Sequence, residues 1–362
     1  MMMMQGSPRV EIRLAEPTDI GQAAAFLVPL GGSGFADRFP GKTPQDFYEW
    51  KYLRNPLGNA IVGVATAGNA IVSVVAATPK RIWLSGKMVL AYELGDFLTD
   101  ENYRKRGLFS KLIELVCREA KTRGAALAYV RPNDVSFPIL AGKLSFFEAQ
   151  RMDGRRFVIP SNTLSRKTGI PASLIHLSGV DGLLRRRCIP RSTGGGVTVD
   201  SISRFGDETD DLWARALSGY DFAVVRESSY LNWRFSDCPT PYKMWCARRN
   251  GKIAGFLVAS ASLAAPVGAI IDIFGESNDV EAVRELLATG MNSLLSSGVR
   301  LISTWTLQKS AESASHRLLR RAIPFRTKPH LHLAFRILRP LEITLPLPLH
   351  KWHFTLGDCD GA

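Results

Sequence analysis

The chain has 362 residues, of which 46% are hydrophobic and 22% charged. It can bury a full interior and is long enough for two cores, which excludes a disordered chain. The formal net charge of +13 and pI near 9.7 favour anionic partners, without separating nucleic acid from anionic cofactors, nucleotide-linked substrates or a membrane surface. Five scattered cysteines with no C-x-x-C pair (Cys117, Cys188, Cys238, Cys246, Cys359) point to a reduced compartment. The N-terminal MMMMQGSPRVEIRLAEP has no apolar signal core, and no run approaches the ~18 apolar residues that span a bilayer, so no membrane span and a cytoplasmic location are expected.

In chain order, Val10 to Leu14 alternates as a short strand, and Pro17, Thr18 and Asp19 supply capping chemistry for an apolar helix through Gln22 to Leu27. A glycine-rich loop from Gly31 to Thr43 precedes the aromatic and basic FYEWKYLRNP, Phe47 to Pro56. Strands near Ala60 to Ala67 and Ala70 to Ala77 join at Gly68-Asn69, and another turn at Ser85-Gly86-Lys87 leads into the apolar run Leu90 to Leu98. After the basic turn at Tyr103 to Gly107, residues Phe109, Leu112, Ile113, Val116 and Ala120 recur with the spacing of one buried helical face. Gly124 stops that helix, Ala125 to Val130 returns as a strand, and Pro132-Asn133 opens the next turn. Strand, helix, meander, strand, helix, strand, helix is an α/β order.

From about Pro160 to Val199 prolines and Gly194-Gly195-Gly196 punctuate a connector. Its one helical stretch carries Leu174, Ile175, Leu177, Val180, Leu183 and Leu184, then Arg185-Arg186-Arg187. A helix packed on its neighbours is the plain reading; a membrane-surface helix with a basic end is the alternative.

The pattern then returns. Tyr230-Leu231-Asn232-Trp233-Arg234-Phe235 with Pro239 mirrors Phe47-Tyr48-Glu49-Trp50-Lys51-Tyr52 with Pro56, each proline lying six residues past the tryptophan. Strands Met244 to Arg248, Ile253 to Ser260 and Gly268 to Phe274, a helix from about Val280 to Ser297 stopped by Gly298, and a strand Val299 to Thr304 echo the first half. Two copies of one α/β unit are the economical account. They differ at the turn between central strand and helix. The first copy offers Arg104, Lys105, Arg106 and Gly107; the second offers Gly275, Glu276, Ser277, Asn278 and Asp279. A glycine turn at a helix start presents unpaired N–H groups that suit a phosphate, and carboxylates there repel one.

In these residues the chain resembles the GNAT acyltransferase superfamily. Its acyl-CoA pyrophosphate turn follows the pattern [R/Q]-x-x-G-x-[G/A], matched by Arg104 and Gly107 and departed from at Phe109, where a small residue is usual. Pro132-Asn133, Ser136 and Lys143-Leu144-Ser145-Phe146 follow in the family's order. The Y-L-N-W-R-[FY] segment and the closing WHFTLGDCD, Trp352 to Asp360, resemble tandem GNAT proteins encoded near polysaccharide and cell-surface genes. The resemblance implies an α/β fold of two tandem GNAT-like domains, each a mixed, mostly antiparallel sheet flanked by helices. Their expected bounds are 1–160 for the acyl-CoA domain, 161–204 for a linker, 205–345 for a degenerate second domain and 346–362 for a tail.

The resemblance further implies an acyltransferase that moves an acyl group, acetyl in the first instance, from acyl-CoA to a small-molecule amine such as an amino sugar or nucleotide-linked sugar. No metal and no nucleic-acid partner are expected, and the sequence does not reveal the oligomeric state. Phe97, Leu98 and Thr99 of the central strand would bind the cofactor arm through backbone N–H groups. Arg104, Lys105, Arg106, Gly107, Leu108 and Phe109 would form the phosphate turn, with Asn133 and Ser136 as further cofactor contacts. The candidate bases are Glu93 and Asp96. Leu140 and Ala141 stand where the family commonly carries an acidic tyrosine, which leaves Tyr129, or Tyr103, as substitute donors. Asp358 and Asp360 could recognise a cationic acceptor. The competing readings are an aminoacyl-tRNA-dependent peptidyl transferase of the tandem-GNAT type and a non-catalytic GNAT-like binding module.

Overall fold

The computed structural model describes residues 9–31, 39–159, 169–171, 174, 179–193, 195–309, 313–341 and 351–359. The chain divides into two units, and neither is contiguous in sequence. Unit 1 takes Met1–Arg81, Val89–Ala149 and His332–Glu342; unit 2 takes Ile82–Met88, Gln150–Leu331 and Ile343–Ala362.

Unit 1 is built on strands β1 (Val10–Leu14), β2 (Ile61–Ala67), β3 (Ala70–Leu84), β4 (Lys87–Thr99) and β5 (Leu127–Val130) in that order, closed by residues of β13 (Phe325–Ile337). Three helices precede or link them: α1 (Ile20–Gly31), α2 (Pro44–Leu53) and α3 (Leu108–Thr122), followed by the short α4 (Phe137–Lys143). Helix α2 starts with a capping box, in which Thr43 Oγ1 accepts from the Asp46 backbone N–H and Asp46 accepts from that of Thr43. The periodicity read for α3 is the face it buries: Leu112, Ile113, Val116 and Ala120 are fully enclosed with Tyr92, Leu94, Ala128 and Val130 of β4 and β5. Phe109 is half-buried at the edge of the same cluster. At ~1.5–3 kcal/mol for each large apolar side chain, this face holds the helix on the sheet.

Unit 2 repeats the order. Strands β7 (Val197–Ile202), β9 (Tyr242–Arg249), β10 (Lys252–Ala261), β11 (Val267–Gly275) and β12 (Leu301–Leu307) are followed by residues of β6 (Phe147–Val158). In both units one parallel pair interrupts an otherwise antiparallel series: β4 with β5, and β11 with β12. The helices are α5 (Val180–Cys188), α6 (Glu208–Ala216), α7 (Ser228–Leu231), α8 (Val280–Ser296) and α9 (Ala314–Ala322); β8 (Phe222–Val224) pairs in parallel with β14 (Trp352–His353). The turn at Asn250-Gly251, between β9 and β10, has both residues left-handed, φ 50° and 76°.

The expected contiguous bounds therefore differ from the units for two physical reasons. The closing strands are exchanged: β5 pairs with Ala334–Ile337 of β13, from the far end of the chain, while β12 pairs with Met152–Val158 of β6, the strand that follows the first half. In addition, β7, which falls inside the expected linker 161–204, alternates as VTVDSI and pairs along its length with β9, so it belongs to the second sheet. Of the connector helix, Val180–Cys188 forms, whereas Ile175 and Leu177 lie outside the described residues, as do residues 32–38 of the first loop and Asp360.

Candidate active site

The parallel ladder between β4 and β5 runs only from Ala91↔Leu127 to Leu94↔Val130, while β4 continues to Thr99. The edge of Gly95 to Thr99 on that side thus has no ladder partner in β5. Phe97, Leu98 and Thr99 lie in this overhang. Ser73 Oγ contacts the Leu98 carbonyl at 3.1 Å and the Thr99 hydroxyl at 2.7 Å, fixing the strand's end from the β3 side.

Asp96 interrupts the strand with a left-handed φ of 54°. Such a residue breaks the two-residue alternation. Its carboxylate turns to α2: Lys51 Nζ lies 2.6 Å and the Tyr52 hydroxyl 2.7 Å from Asp96 Oδ2. In the first copy two side chains of the aromatic segment Phe47–Tyr52 thus hold a central-strand carboxylate. Burial, and then the charge of Asp96, raise the Tyr52 hydroxyl well above its ordinary pKa, so it stays a donor.

Glu93 lies 3.5 Å from Lys80 Nζ and is 11% exposed, whereas the lysine is fully buried. Sequence reasoning missed Lys80; the available signal was a lysine inside the apolar run of β3. Glu93 is the register partner of Tyr129 across the parallel ladder, which places both on one face of the sheet. Tyr129 is fully buried and meets Phe335 edge-on at 6.4 Å, so its hydroxyl is not solvated.

Beyond Thr99 the chain makes a single 3-10 turn, Glu101–Tyr103, capped by Asp100, then reaches Arg104, Lys105 (φ 62°), Arg106 and Gly107 (φ 75°) at the start of α3. The left-handed backbone at Gly107 explains the glycine. A glycine cap has no side chain to satisfy the first helical N–H groups, so those of Leu108 and Phe109 face outward with the helix dipole. Arg104, Lys105 and Arg106 are exposed; Arg104 Nε donates to the Thr99 carbonyl at 3.3 Å, and Arg106 stacks over Tyr103 at 4.8 Å. Phe109, the departure from the family pattern, packs edge-on against Phe97 of the overhang at 5.2 Å. Alongside α3 an open groove of about 520 Å³ brings Ser110, Lys111, Arg118 and Lys143 together.

Asn133 and Ser136 close the turn that leads into α4. Asn133 Oδ1 accepts from the backbone N–H groups of Val135 and Ser136 and from the Ser136 hydroxyl at 3.0 Å. His332 stacks on Phe137 at 4.0 Å, with Glu148 on Nδ1 and Asp134 3.2 Å from Nε2.

In unit 2 the position matching Asp96 is Asp272, and its surroundings are closed. Arg226 donates to Asp272 at 3.2 Å and to Asp358 at 2.9 Å, all three being nearly inaccessible. Asp358 is thus an internal ion-pair partner and does not face an acceptor. Gly357 is needed there, because a Cβ would come within 2.9 Å of Asp272. Arg234, the counterpart of Lys51, donates instead to the carbonyls of Gly357 and Cys359. Burial lowers His353 to about 4 and drives His316 well below its ordinary value, so both are neutral near pH 7. Among the described residues no group of three or more His, Cys, Asp or Glu could hold a metal ion, and no helix is long and apolar enough to cross a membrane.

Residues 12–140 match the model of the acetyltransferase (GNAT) domain. No curated protein matches the sequence. Among solved structures, a probable N-acyltransferase of unknown function from Enterococcus faecalis superposes with a TM-score of 0.62 at 13% identity, over 91% of this chain and 73% of that one. A GCN5-related N-acetyltransferase from Anabaena variabilis gives 0.60 at 14%, over 91% and 73%. N-myristoyltransferase from Saccharomyces cerevisiae with bound myristoyl-CoA gives 0.60 at 13%, over 92% and 83%. At such identities the likeness is one of fold. Membership of the GNAT superfamily is supported for the domain over residues 12–140.

Proposed function

We propose that unit 1 is an acyl-CoA-dependent N-acyltransferase, with acetyl-CoA as donor and a small amine, such as an amino sugar or nucleotide-linked sugar, as acceptor. The observation that carries this reading is the turn at Arg104 to Phe109: three exposed cations around a helix start whose glycine cap leaves the first N–H groups unpaired. These residues suit a diphosphate. Bound acyl-CoA would supply an activated thioester. Arg104, Lys105 and Arg106 would hold its phosphates, and the overhanging edge of Phe97, Leu98 and Thr99 would orient its arm through backbone N–H groups.

Glu93 is our choice as the base that removes the amine proton, directly or through water. Asp96 has two donors on one oxygen, from Lys51 and Tyr52, so its carboxylate is engaged with α2. Its role in this reading is to fix the overhang against α2. Tyr129, on the face shared with Glu93, is the proposed donor to the departing thiolate. Glu93→Gln should lower kcat by about 100-fold or more with little change in acyl-CoA affinity. Tyr129→Phe should lower kcat less, since a thiolate can leave unassisted. A Glu93→Gln enzyme with wild-type kcat would move the base to Asp96 or to solvent. Turnover assays with acyl-CoAs of increasing chain length address the donor, because one similar fold binds myristoyl-CoA. A chain that binds no acyl-CoA at all would defeat the reading.

A further inference from the structure

Unit 2 holds a second concentration of positive charge, unrelated to the turn before α3. A pocket of about 380 Å³, within the ~300–1,000 Å³ range of small-molecule sites, lies among α5, the loop Ile189–Thr193, α8 and α9. Five guanidinium groups line it: Arg186, Arg187, Arg191, Arg284 and Arg321, with Pro190 and Leu318 supplying apolar wall. Among the described residues none of these five donates a hydrogen bond or joins an ion pair.

The acids close by are engaged elsewhere. Glu285 accepts from the Thr193 backbone N–H at 2.7 Å, which pins the loop, and Glu281 pairs with Arg249 at 2.8 Å. Asp181, on α5, is buried. Five like charges gathered from three helices and a loop into one concavity repel one another, and a polyanion is the ligand that relieves the repulsion. Guanidinium forks engage phosphate oxygens two at a time, and five of them exceed what a monoanion can use.

We propose that this arginine-lined pocket binds a phosphate-bearing anion, a diphosphate best of all. The phosphate could belong to a soluble molecule or to a lipid headgroup. Leu183, 69% exposed and one turn from Arg186 and Arg187, makes the second source worth an arm of the test.

The probe is inorganic pyrophosphate, titrated calorimetrically into the full chain carrying Arg104→Ala and Arg106→Ala, so that the turn of unit 1 makes no contribution. Binding is expected to persist in that chain at physiological salt. It should weaken about tenfold or more when Arg284→Ala and Arg321→Ala are added, weaken less with lysine at both positions, and stay unchanged with Arg317→Ala, an exposed arginine on α9 outside the pocket. A thermal melt of each variant separates loss of the site from loss of the fold. In the second arm the chains are floated with phosphatidylglycerol vesicles. Flotation abolished by Arg284→Ala and Arg321→Ala identifies a lipid phosphate, and pyrophosphate binding without flotation identifies a soluble one. Absence of pyrophosphate binding in the starting chain, or an equal loss with Arg317→Ala, overturns the proposal. Acyl-CoA binding by a chain altered only at Arg284 and Arg321 should be normal, which keeps this test independent of the proposed activity of unit 1.

Discussion

The turn that joins central strand to helix in unit 1 and its counterpart in unit 2 share a backbone plan and differ in what their polar groups touch. In unit 2, Asp279 caps α8 by accepting from the Ala282 N–H at 3.0 Å and also pairs with Arg249. Glu276 pairs with Arg215, and the Ser277 carbonyl accepts from the Ala314 N–H at 2.8 Å. The turn's own side chains and neighbours thus satisfy it. In unit 1 the same place has a glycine cap without a side-chain acceptor and three exposed cations. The fold does not require the cations, since the second copy forms without them. An open helix start and a basic turn together make a site; a capped start and an acidic turn make a structural joint.

The central-strand carboxylates extend the contrast and provide its largest expected effect. Asp272→Ala leaves Arg226 buried with only part of its compensation and should cost ~3–5 kcal/mol in urea unfolding. Asp96→Ala, at a carboxylate that retains some exposure, should cost less, ~1.5–3 kcal/mol. Equal losses would mean that the two positions are equally structural. Next in size, Gly107→Val forces a β-branched residue into the left-handed region, at ~1–2 kcal/mol, and should also weaken acyl-CoA binding. Asp279→Ala removes a helix cap at ~1 kcal/mol with no effect on that binding.

A pH dependence carries the contrast further. Burial chiefly, with the charge of Asp272 adding to it against the pull of Arg226, raises Asp358 to about 6 from an ordinary 3.8. A carboxyl whose pKa is higher folded than unfolded adds stability that is complete below 3.8 and lost as pH rises through about 6. Wild type should therefore lose stability relative to Asp358→Asn between pH 4 and 7. A constant difference across that range would show that Asp358 is ionised throughout.

Much of this was legible in the residues. The duplication was visible in the two aromatic segments with their prolines, the helix face of α3 in its spacing, and Gly107 in its place after the cations. What escaped depended on pairings distant in sequence. Nothing local in β6 or β13 tells which sheet each joins, because either strand offers the same alternating edge to β5 or β12. Lys80 reads as one cation in a strand until the fold sets it beside Glu93. Asp358 looked like a solvent-facing acid because its partner, Arg226, lies more than a hundred residues earlier. Asn133 and Ser136 read as ligand contacts, and their hydrogen bonds to one another close the turn before α4.

The central claim is that the turn of unit 1, and not that of unit 2, holds the acyl-CoA diphosphate. Calorimetric titration of acetyl-CoA into three chains tests it most directly: wild type, Arg104→Ala with Arg106→Ala, and Glu276→Ala with Asp279→Ala. Wild type and the unit 2 variant should bind alike, while the unit 1 variant should bind at least about tenfold more weakly, a difference of ~1.4 kcal/mol. Undiminished binding by the Arg104 and Arg106 variant, or a loss confined to the unit 2 variant, would contradict the account.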